Sequence, residues 1–161
     1  MAILPVPSYR NTPGYCGPSC LRMIFAYHGI RTSEVAIARV ARATRAHGAS
    51  EKQIAAAARH YGFHAQVKDH STLKDLAKHL KSGHPVIVDW FSIDEGHYSV
   101  VIGMDRTHVL LRDPQRIGLT RIKKQVFKKV WFDFKEKVPL SKQSLITRRM
   151  ILIEKKKKRI A

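Results

Sequence analysis

The sequence is poor in cysteine. Its 161 residues contain only two, Cys16 and Cys20, four positions apart. A disulfide between them would close a loop too small to add much stability, and two thiols on one helix fit disulfide geometry poorly. The composition therefore excludes a disulfide scaffold and favours a protein of a reducing compartment.

Long apolar runs are also missing. The longest stretches, such as "PVIVDWF" at 85–91, are far too short to cross a bilayer, and no charged N-terminal segment leads into an apolar one. We therefore expect a cytoplasmic protein with no membrane span and no signal peptide. The length predicts one domain that is large enough to bury its own core.

Acidic residues are scarce. The chain has 12 Asp and Glu against 30 Lys and Arg, a net charge of +18. The excess is uneven, because Arg116 to Ala161 carries 16 Lys and Arg against three acidic residues, a balance of +13. We interpret 155–161 as a basic tail behind a domain of residues 1–154. The tail is either a solvated, solubilising segment or a weak contact for a polyanion, which it would bind by releasing counterions.

Hydrophobic spacing predicts helices in the first half of the chain and strands in the second. Ser or Thr caps open three of the predicted helices, and glycines end three of them. We expect helices at 16–28, 32–44, 49–62 and 71–83, then strands at 84–91, 97–104, 108–113 and 118–123, an amphipathic helix at 123–134 and a last strand at 145–154. This order indicates an α+β fold with an N-terminal helical half packed on a C-terminal antiparallel sheet.

The stretch "TPGYCGPSC" at 12–20 places a cysteine at the start of a predicted helix. Pro18 is tolerated only in the first helical turn, so the helix begins near Cys16, and the adjacent glycines let the backbone bend tightly. Free N–H groups and the positive end of the helix dipole favour a thiolate there. Cys20 lies one turn further in, among apolar residues, and is expected to be buried and inert.

A thiolate nucleophile needs an imidazole to carry its proton and a third group to orient that imidazole. A three-residue turn at 105–107 joins two predicted strands, so residues whose numbers sum to about 210 should face each other. His97 and Asp113 satisfy this rule at one end of the sheet. The sequence therefore predicts a triad of Cys16, His97 and Asp113.

A metal site is the competing interpretation of these side chains. Cys16 and Cys20 could share a helix face, and His28 or His97 would have to complete the set. However, the sequence has no Cys-x-x-Cys pair and no other ligand spacing. We therefore expect neither a metal nor an organic cofactor.

Three segments, in this order, resemble the bacteriocin-processing cysteine peptidases, the double-glycine leader peptidases. They are "YCGPSCLRMIFAYHG" at 15–29, "GHYSVVIGMD" at 96–105 and "LLRDP" at 110–114. The resemblance covers about residues 9–134 and implies a papain-like fold. It also implies that Cys16 is the nucleophile, His97 the general base and acid, and Asp113 the orienting carboxylate. Cleavage after a Gly-Gly pair in a leader peptide is a further implication.

The chain departs from this family at two points. Family members carry a Gln six residues before the nucleophile, whereas this chain has Arg10 followed by Asn11. By the resemblance, either side chain is a candidate to help hold the oxyanion, since an amide and a cation both donate N–H groups. The best-known members are also domains of ATP-driven exporters, but this sequence has no membrane run and no "GxxxxGK(S/T)" loop, so we expect a standalone domain.

The expected function is a cysteine peptidase that cleaves a peptide or protein substrate through an acyl-enzyme. Two alternatives stay open. The first is a module of the same fold that grips an extended peptide with little or no turnover, because its oxyanion donor has changed. The second is a polyanion binder that acts through the basic C-terminal segment.

Overall fold

Five helices and eight strands follow one another along the described chain, which comprises residues 3–93, 95–135 and 141–157 of this computed structural model. The helices are α1 (Cys16–Tyr27), α2 (Glu34–Ala41), α3 (Glu51–His60), α4 (Leu73–Lys81) and α5 (Lys124–Val130). The strands are β1 (Phe63–Lys68), β2 (Val86–Phe91), β3 (Gly96–Met104), β4 (His108–Arg112), β5 (Thr120–Lys123), β6 (Phe132–Phe134), β7 (Leu145–Thr147) and β8 (Arg149–Lys155).

The strands form two sheets in which every pairing is antiparallel. The main sheet has the order β1-β8-β2-β3-β4-β5, and β6 pairs with β7 in a small second sheet. The consecutive strands β2, β3 and β4 are neighbours through short loops. In contrast, β8 comes from the far end of the chain and lies between β1 and β2.

Helices cover both faces of the main sheet. Because side chains alternate along a strand, Ile87 of β2 packs in the cluster that includes α1, α2 and α3, whereas Val86 and Val88 pack in the cluster that includes α4 and α5. The helical half therefore packs on the antiparallel sheet as the sequence predicts, and α4 and α5 form a second helical layer behind it.

Side-chain caps fix the starts of three helices at the predicted places. Ser33, Ser50 and Thr72 accept hydrogen bonds from backbone N–H groups of α2, α3 and α4. In α3 and α4 the bond is reciprocated by Gln53 and Asp75, which forms a capping box. Each such cap stabilises its helix by about 1 kcal/mol.

The prediction that the first half holds helices alone is wrong. Residues Phe63–Lys68 form β1, which pairs along its whole length with β8. The outward face of β1 is polar, with His64, Gln66 and Lys68 exposed. The alternation of apolar and polar residues over Phe63–Lys68 is the pattern of a half-buried strand, which the prediction overlooked.

Two predicted elements of the second half are each divided in the structure. The predicted helix at 123–134 ends at Val130, and Phe132–Phe134 forms β6 instead. The predicted strand at 145–154 is interrupted at Arg148, whose φ of 47° is left-handed. A left-handed residue breaks the extended course of the backbone, so β7 and β8 belong to different sheets.

The C-terminal basic segment begins inside the fold. Lys155 belongs to β8 and pairs with Phe63, so the strand passes the predicted boundary at 154 by one residue. Residues 158–161 of the predicted tail lie outside the described residues. Within 3–93, 95–135 and 141–157, no helix combines the length and the apolar composition that a membrane crossing needs.

Candidate active site

Helix α1 starts at Cys16, and two glycines allow this start. Gly14 has a φ of 86°, and a side chain there would collide with the backbone carbonyl of Arg45. Gly17 lies under α3, where a Cβ atom would come within 2.5 Å of the Ile54 side chain. The "GYCG" pattern therefore lets the cysteine end of α1 pack closely against two neighbouring segments.

The N-terminus of α1 has no side-chain cap. Its N-cap residue is Tyr15, which makes no capping hydrogen bond, and the first turn contains no acidic residue. Uncapped N–H groups at a helix start are donors for a negative charge. They are thus available to a charge that develops beside Cys16, which is only half-buried.

His97 and Asp113 come from adjacent strands and meet in the interior. His97 is the second residue of β3, Asp113 directly follows β4, and the two are 3% and 4% exposed. Nε2 of His97 lies 2.6 Å from Oδ1 of Asp113, and the Cys16 thiol is close enough to the same ring to raise its pKa. Since Asp113 occupies Nε2, Nδ1 is the ring nitrogen left for Cys16. The structure thus brings the three predicted residues together.

The strand register behind this contact differs from the predicted one. β3 and β4 pair Val100 with Arg112, so opposed residue numbers sum to 212 rather than 210, and a β-bulge interrupts the ladder further along. Continued by one residue, this register sets Ser99 opposite Asp113. His97 and Asp113 are therefore diagonal neighbours, a separation that longer side chains still bridge.

The charges of the site favour an imidazolium. Burial alone would lower the pKa of His97, but hydrogen bonds and negative charge from Asp113 and Cys16 outweigh it and raise the pKa to about 9. Burial would likewise raise the pKa of Asp113, yet His97, the Gln115 N–H and Arg116 together lower it. An imidazolium beside Cys16 is a proton donor within the candidate site.

The environment of Cys20 differs from that of the half-buried Cys16. Cys20 lies on the core side of α1 and is fully buried, as the sequence predicts. Burial, followed by the negative charges of Cys16 and Asp113, raises the pKa of its thiol well above the ordinary value. Cys20 therefore stays a neutral core residue.

Neither predicted oxyanion residue donates to Cys16 through any hydrogen bond of the described residues. Arg10 is exposed, whereas Asn11 is half-buried. The Asn11 side chain donates from Nδ2 to the carbonyl of Thr12 at 2.7 Å, and its backbone N–H donates to the carbonyl of Pro114 at 2.8 Å. Asn11 is thus anchored beside the Asp113 end of the site, with the second hydrogen of its amide left over.

A carboxyl pair near the site was missed by the sequence reasoning. Asp89 of β2 is 3% exposed and lies close to Asp133 of β6, whose carboxyl group lies against the backbone of Gly96. Burial, then the charge of Asp133, raises the pKa of Asp89 well above its ordinary value. A lone Asp inside the apolar run "PVIVDWF" was the only sequence signal for this pair.

Trp90 is a second side chain that the sequence reasoning missed. Its ring meets the His97 ring edge to face, with 6.0 Å between centroids, and its Nε1 donates to Oγ of Ser99 at 3.0 Å. The indole covers the imidazole from the side of α4 and α5. Such cover keeps water from the bond between His97 and Asp113, which strengthens that bond.

The assembled side chains suit nucleophilic chemistry. A half-buried thiol, a buried imidazole and a buried carboxylate lie next to one another in this order at a helix start, as covalent catalysis requires. Across the described parts of the chain, no group of three or more His, Cys, Asp or Glu side chains is arranged to hold a metal ion.

Comparison of the sequence with known families and proteins gives two matches of interest. The model of the peptidase C39 family matches residues 9–135, a range that contains Cys16, His97 and Asp113. An uncharacterized protein of Methanothermobacter thermautotrophicus is 31% identical over 116 residues, which are 72% of this chain and 75% of that protein.

Solved structures share the fold at lower identity. A C39-like peptidase from Bacillus anthracis has a TM-score of 0.75 at 18% identity, over 97% of this chain and 98% of that one. A double-glycine motif protease from an AMS/PCAT transporter, solved in complex with a leader peptide, has a TM-score of 0.71 at 19% identity, over 96% and 95%. At such identities the likeness shows the fold alone, and it confirms the papain-like α+β fold that the sequence predicts.

Proposed function

Because the chain belongs to the peptidase C39 family, we propose that it is a cysteine peptidase whose nucleophile is Cys16. In this proposal His97 moves the proton and Asp113 orients His97. The observation that supports it most directly is the buried pair of His97 and Asp113, with 2.6 Å between Nε2 and Oδ1, beside a Cys16 thiol that is close enough to raise the pKa of the same ring.

The reaction proceeds in two halves. The Cys16 thiolate attacks the carbonyl carbon of the scissile bond, and the carbonyl oxygen becomes an oxyanion. His97, protonated at Nδ1, gives its proton to the leaving amine as the C–N bond breaks, which leaves a thioester on Cys16. Neutral His97 then takes a proton from water as the water attacks the thioester, and the acid product leaves with the thiolate restored.

The oxyanion is held by donors at the start of α1. The uncapped backbone N–H of Cys16 supplies one, favoured by the positive end of the helix dipole. We assign the second to Asn11, because one amide hydrogen of Nδ2 is free after the bond to Thr12. Arg10 is the weaker candidate, since its side chain is exposed.

The substrate is a peptide that presents a Gly-Gly pair before the scissile bond. This part of the proposal is carried by the structural likeness to the double-glycine motif protease whose structure contains a leader peptide. The extended chain would lie across the start of α1, so that the scissile carbonyl meets both Cys16 and the helix N-terminus.

The proposal is tested with a synthetic peptide that contains one Gly-Gly pair and with a matched peptide that carries Ala-Ala instead. We expect the wild-type protein to cut after the second Gly, and Cys16→Ala to remove this cleavage. Cys20→Ala is the matched control, since it deletes the other thiol and should leave cleavage in place. Mass spectrometry of the products identifies the cleaved bond.

The oxyanion assignment needs its own pair of variants. Asn11→Ala should lower kcat by about 10²-fold or more with KM little changed, as for other lost oxyanion donors. Arg10→Ala should have a much smaller effect. Equal rates for Asn11→Ala and the wild type would make Asn11 a loop residue only.

A peptide-binding module of the same fold is the second candidate. The hydrogen bond of the Asn11 amide to the Thr12 carbonyl favours it, because an amide held there is not aimed at Cys16. Fluorescence anisotropy of the labelled Gly-Gly peptide separates the two functions. Tight binding of an intact peptide by the wild-type protein would establish the module and exclude the peptidase.

A polyanion contact through the basic C-terminal segment is compatible with either function. It is tested by salt titration of DNA binding with and without residues 155–161. A steep salt dependence that disappears on truncation would assign the contact to this segment.

A further inference from the structure

A small cavity that is open to the surface lies between α5 and the β6–β7 sheet, and none of its lining residues belongs to the candidate active site. Its volume is about 320 Å³, which is at the lower end of the range for small-ligand sites. Six residues line it: Lys128, Trp131, Phe132, Leu145, Thr147 and Arg148. Its walls are thus mainly apolar, with two cationic side chains and one hydroxyl.

The apolar walls are fixed in place. Trp131 is 1% exposed, and its Nε1 donates to the carbonyl of Arg149 at 2.9 Å. Phe132 stacks on Phe91 with 5.0 Å between ring centroids. Leu145, in contrast, is 43% exposed, so the cavity leaves a large apolar side chain in contact with water.

The two cations at the cavity have no charge partner in the described structure. Neither Lys128 nor Arg148 forms an ion pair with a carboxylate of residues 3–93, 95–135 and 141–157. The neighbouring Arg149 is the opposite case, because it is buried and bound to both Asp69 and Glu51. The positive charge at the cavity is therefore not neutralised by these carboxylates.

The backbone of Arg148 adds an independent observation. Its φ of 47° lies in the region that glycine adopts without strain and other residues rarely adopt. The N–H donates to the carbonyl of Trp131, and the carbonyl accepts from the N–H of Ser71, so the conformation is held by backbone bonds that glycine would keep. The same residue lines the cavity, and its side chain is exposed.

From these observations we infer that the cavity binds an anionic ligand with an apolar body, a carboxylate on an aromatic or branched aliphatic group. The apolar part lies against Trp131, Phe132 and Leu145. The carboxylate accepts hydrogen bonds from Arg148 and Lys128, which are the strong, charge-assisted kind. Such a carboxylate comes either from a free small molecule or from the C-terminal residue of a peptide.

The ligand class is tested with three compounds of similar shape and different charge. They are 1-naphthoate, 1-naphthamide and 1-naphthylmethylammonium, titrated into the full chain by calorimetry. We expect naphthoate to bind at least tenfold more tightly than the neutral amide, and the cation not to bind. The indole N–H signal of Trp131 in NMR spectra should shift on binding, while that of Trp90, which is bonded to Ser99, should not.

The source of the carboxylate is tested with acetyl-Gly-Gly-Phe as the free acid and as the amide. Tighter binding of this acid than of naphthoate, with a shift at Trp131, assigns the cavity to a peptide C-terminus. The reverse order assigns it to a free carboxylate. In both cases the amide form should bind at least tenfold more weakly than the acid.

Arg148→Gly separates binding from folding. It should raise Tm by about 2–4 °C, because the backbone strain is relieved, and weaken naphthoate binding at least tenfold. Arg42→Gly is the matched control, since Arg42 has a φ of 55° at the end of α2. It should raise Tm similarly and leave naphthoate binding unchanged.

Three results would overturn the inference. The first is equal affinity of the protein for naphthoate and naphthamide. The second is wild-type affinity in Arg148→Gly. The third is a signal that shifts at Trp90 rather than at Trp131, which would place the compound elsewhere.

Discussion

Replacing Asp113 by Asn should move the pKa of His97 from above its ordinary value to below it. In the wild-type site the pKa of His97 is raised from 6.5 to about 9. That difference corresponds to about 3 kcal/mol in favour of the imidazolium. An amide still accepts a hydrogen bond but carries no charge, and burial, which lowers the pKa, then dominates. We expect the pKa of His97 in Asp113→Asn to fall below 6.5.

The assay is an NMR titration of the histidine ring, with the Cys16→Ala variant as a second arm. Cys16→Ala removes only the contribution of the thiol, so the pKa of His97 should lie between the wild-type value and that of Asp113→Asn. The matched control is Asp105→Asn. Asp105 also binds a ring and an arginine, His108 and Arg121, but it lies at the turn of the hairpin, outside the site.

The reactivity of Cys16 should follow the protonation state of the His97 ring. Without an imidazolium beside Cys16, alkylation by iodoacetamide at pH 7 should slow by about tenfold or more, and peptide cleavage by about 10⁴-fold, as for an orienting carboxylate lost from other triads. A His97 pKa that stays near 9 in Asp113→Asn would refute the reasoning, since the thiol alone would then outweigh burial.

Three further outcomes are expected. Brief alkylation followed by mass spectrometry should label Cys16 and leave Cys20, which is fully buried, unmodified; labelling of Cys20 first would contradict the assigned nucleophile. Gly14→Ala should reduce the free energy of unfolding in urea by about 1–3 kcal/mol more than Gly29→Ala, because both glycines are left-handed but only Gly14 lies against a backbone carbonyl. Burial first, then nearby cations, lowers the pKa of His28, so the unfolded chain takes up more protons there and stability should fall as the pH drops from 7.5 to 5.5. His28→Gln should reduce that loss, and an unchanged loss would assign it to other groups.

The start of α1 was the most predictable part of the fold, for a local reason. Proline is confined to the first helical turn, so Pro18 placed the beginning of the helix within one turn before it. The caps at Ser33, Ser50 and Thr72 are equally local. Each depends on a hydrogen bond between residues three positions apart, which sequence spacing describes fully.

The sheet was less predictable, because its order depends on distant partners. β1 is a strand by virtue of pairing with β8, which lies more than 80 residues further along the chain. The strict alternation of "FHAQVK" is a strand pattern, but it does not tell which distant strand pairs with it. The same limit applies to Asp89 and Asp133, which come together from two separate sheets.

The pair of His97 and Asp113 could be predicted in spite of an error in strand register, whereas the direction of the Asn11 side chain could not. His97 and Asp113 stand on paired strands, where a register wrong by two residues turns an opposed pair into a diagonal one that still makes contact. The pair was therefore found through a mistaken register. Asn11 lies on an irregular segment, where one residue decides which way a side chain points, and its amide is engaged by Thr12.

This contrast explains why Cys16, His97 and Asp113 meet in the structure, whereas the Asn11 amide is turned to Thr12. Strands and a helix start hold Cys16, His97 and Asp113 through many backbone bonds, so their contact follows from the fold itself. The backbone of Asn11 is likewise held, by the bond from its N–H to Pro114, but its side chain needs only a rotation to leave Thr12. Substrate binding is the event that would supply a better acceptor, since the oxyanion carries a full charge and the Thr12 carbonyl does not. We therefore expect the Asn11 amide to turn toward the oxyanion only during the reaction. Cys16, His97 and Asp113, in contrast, are already close together before substrate binds.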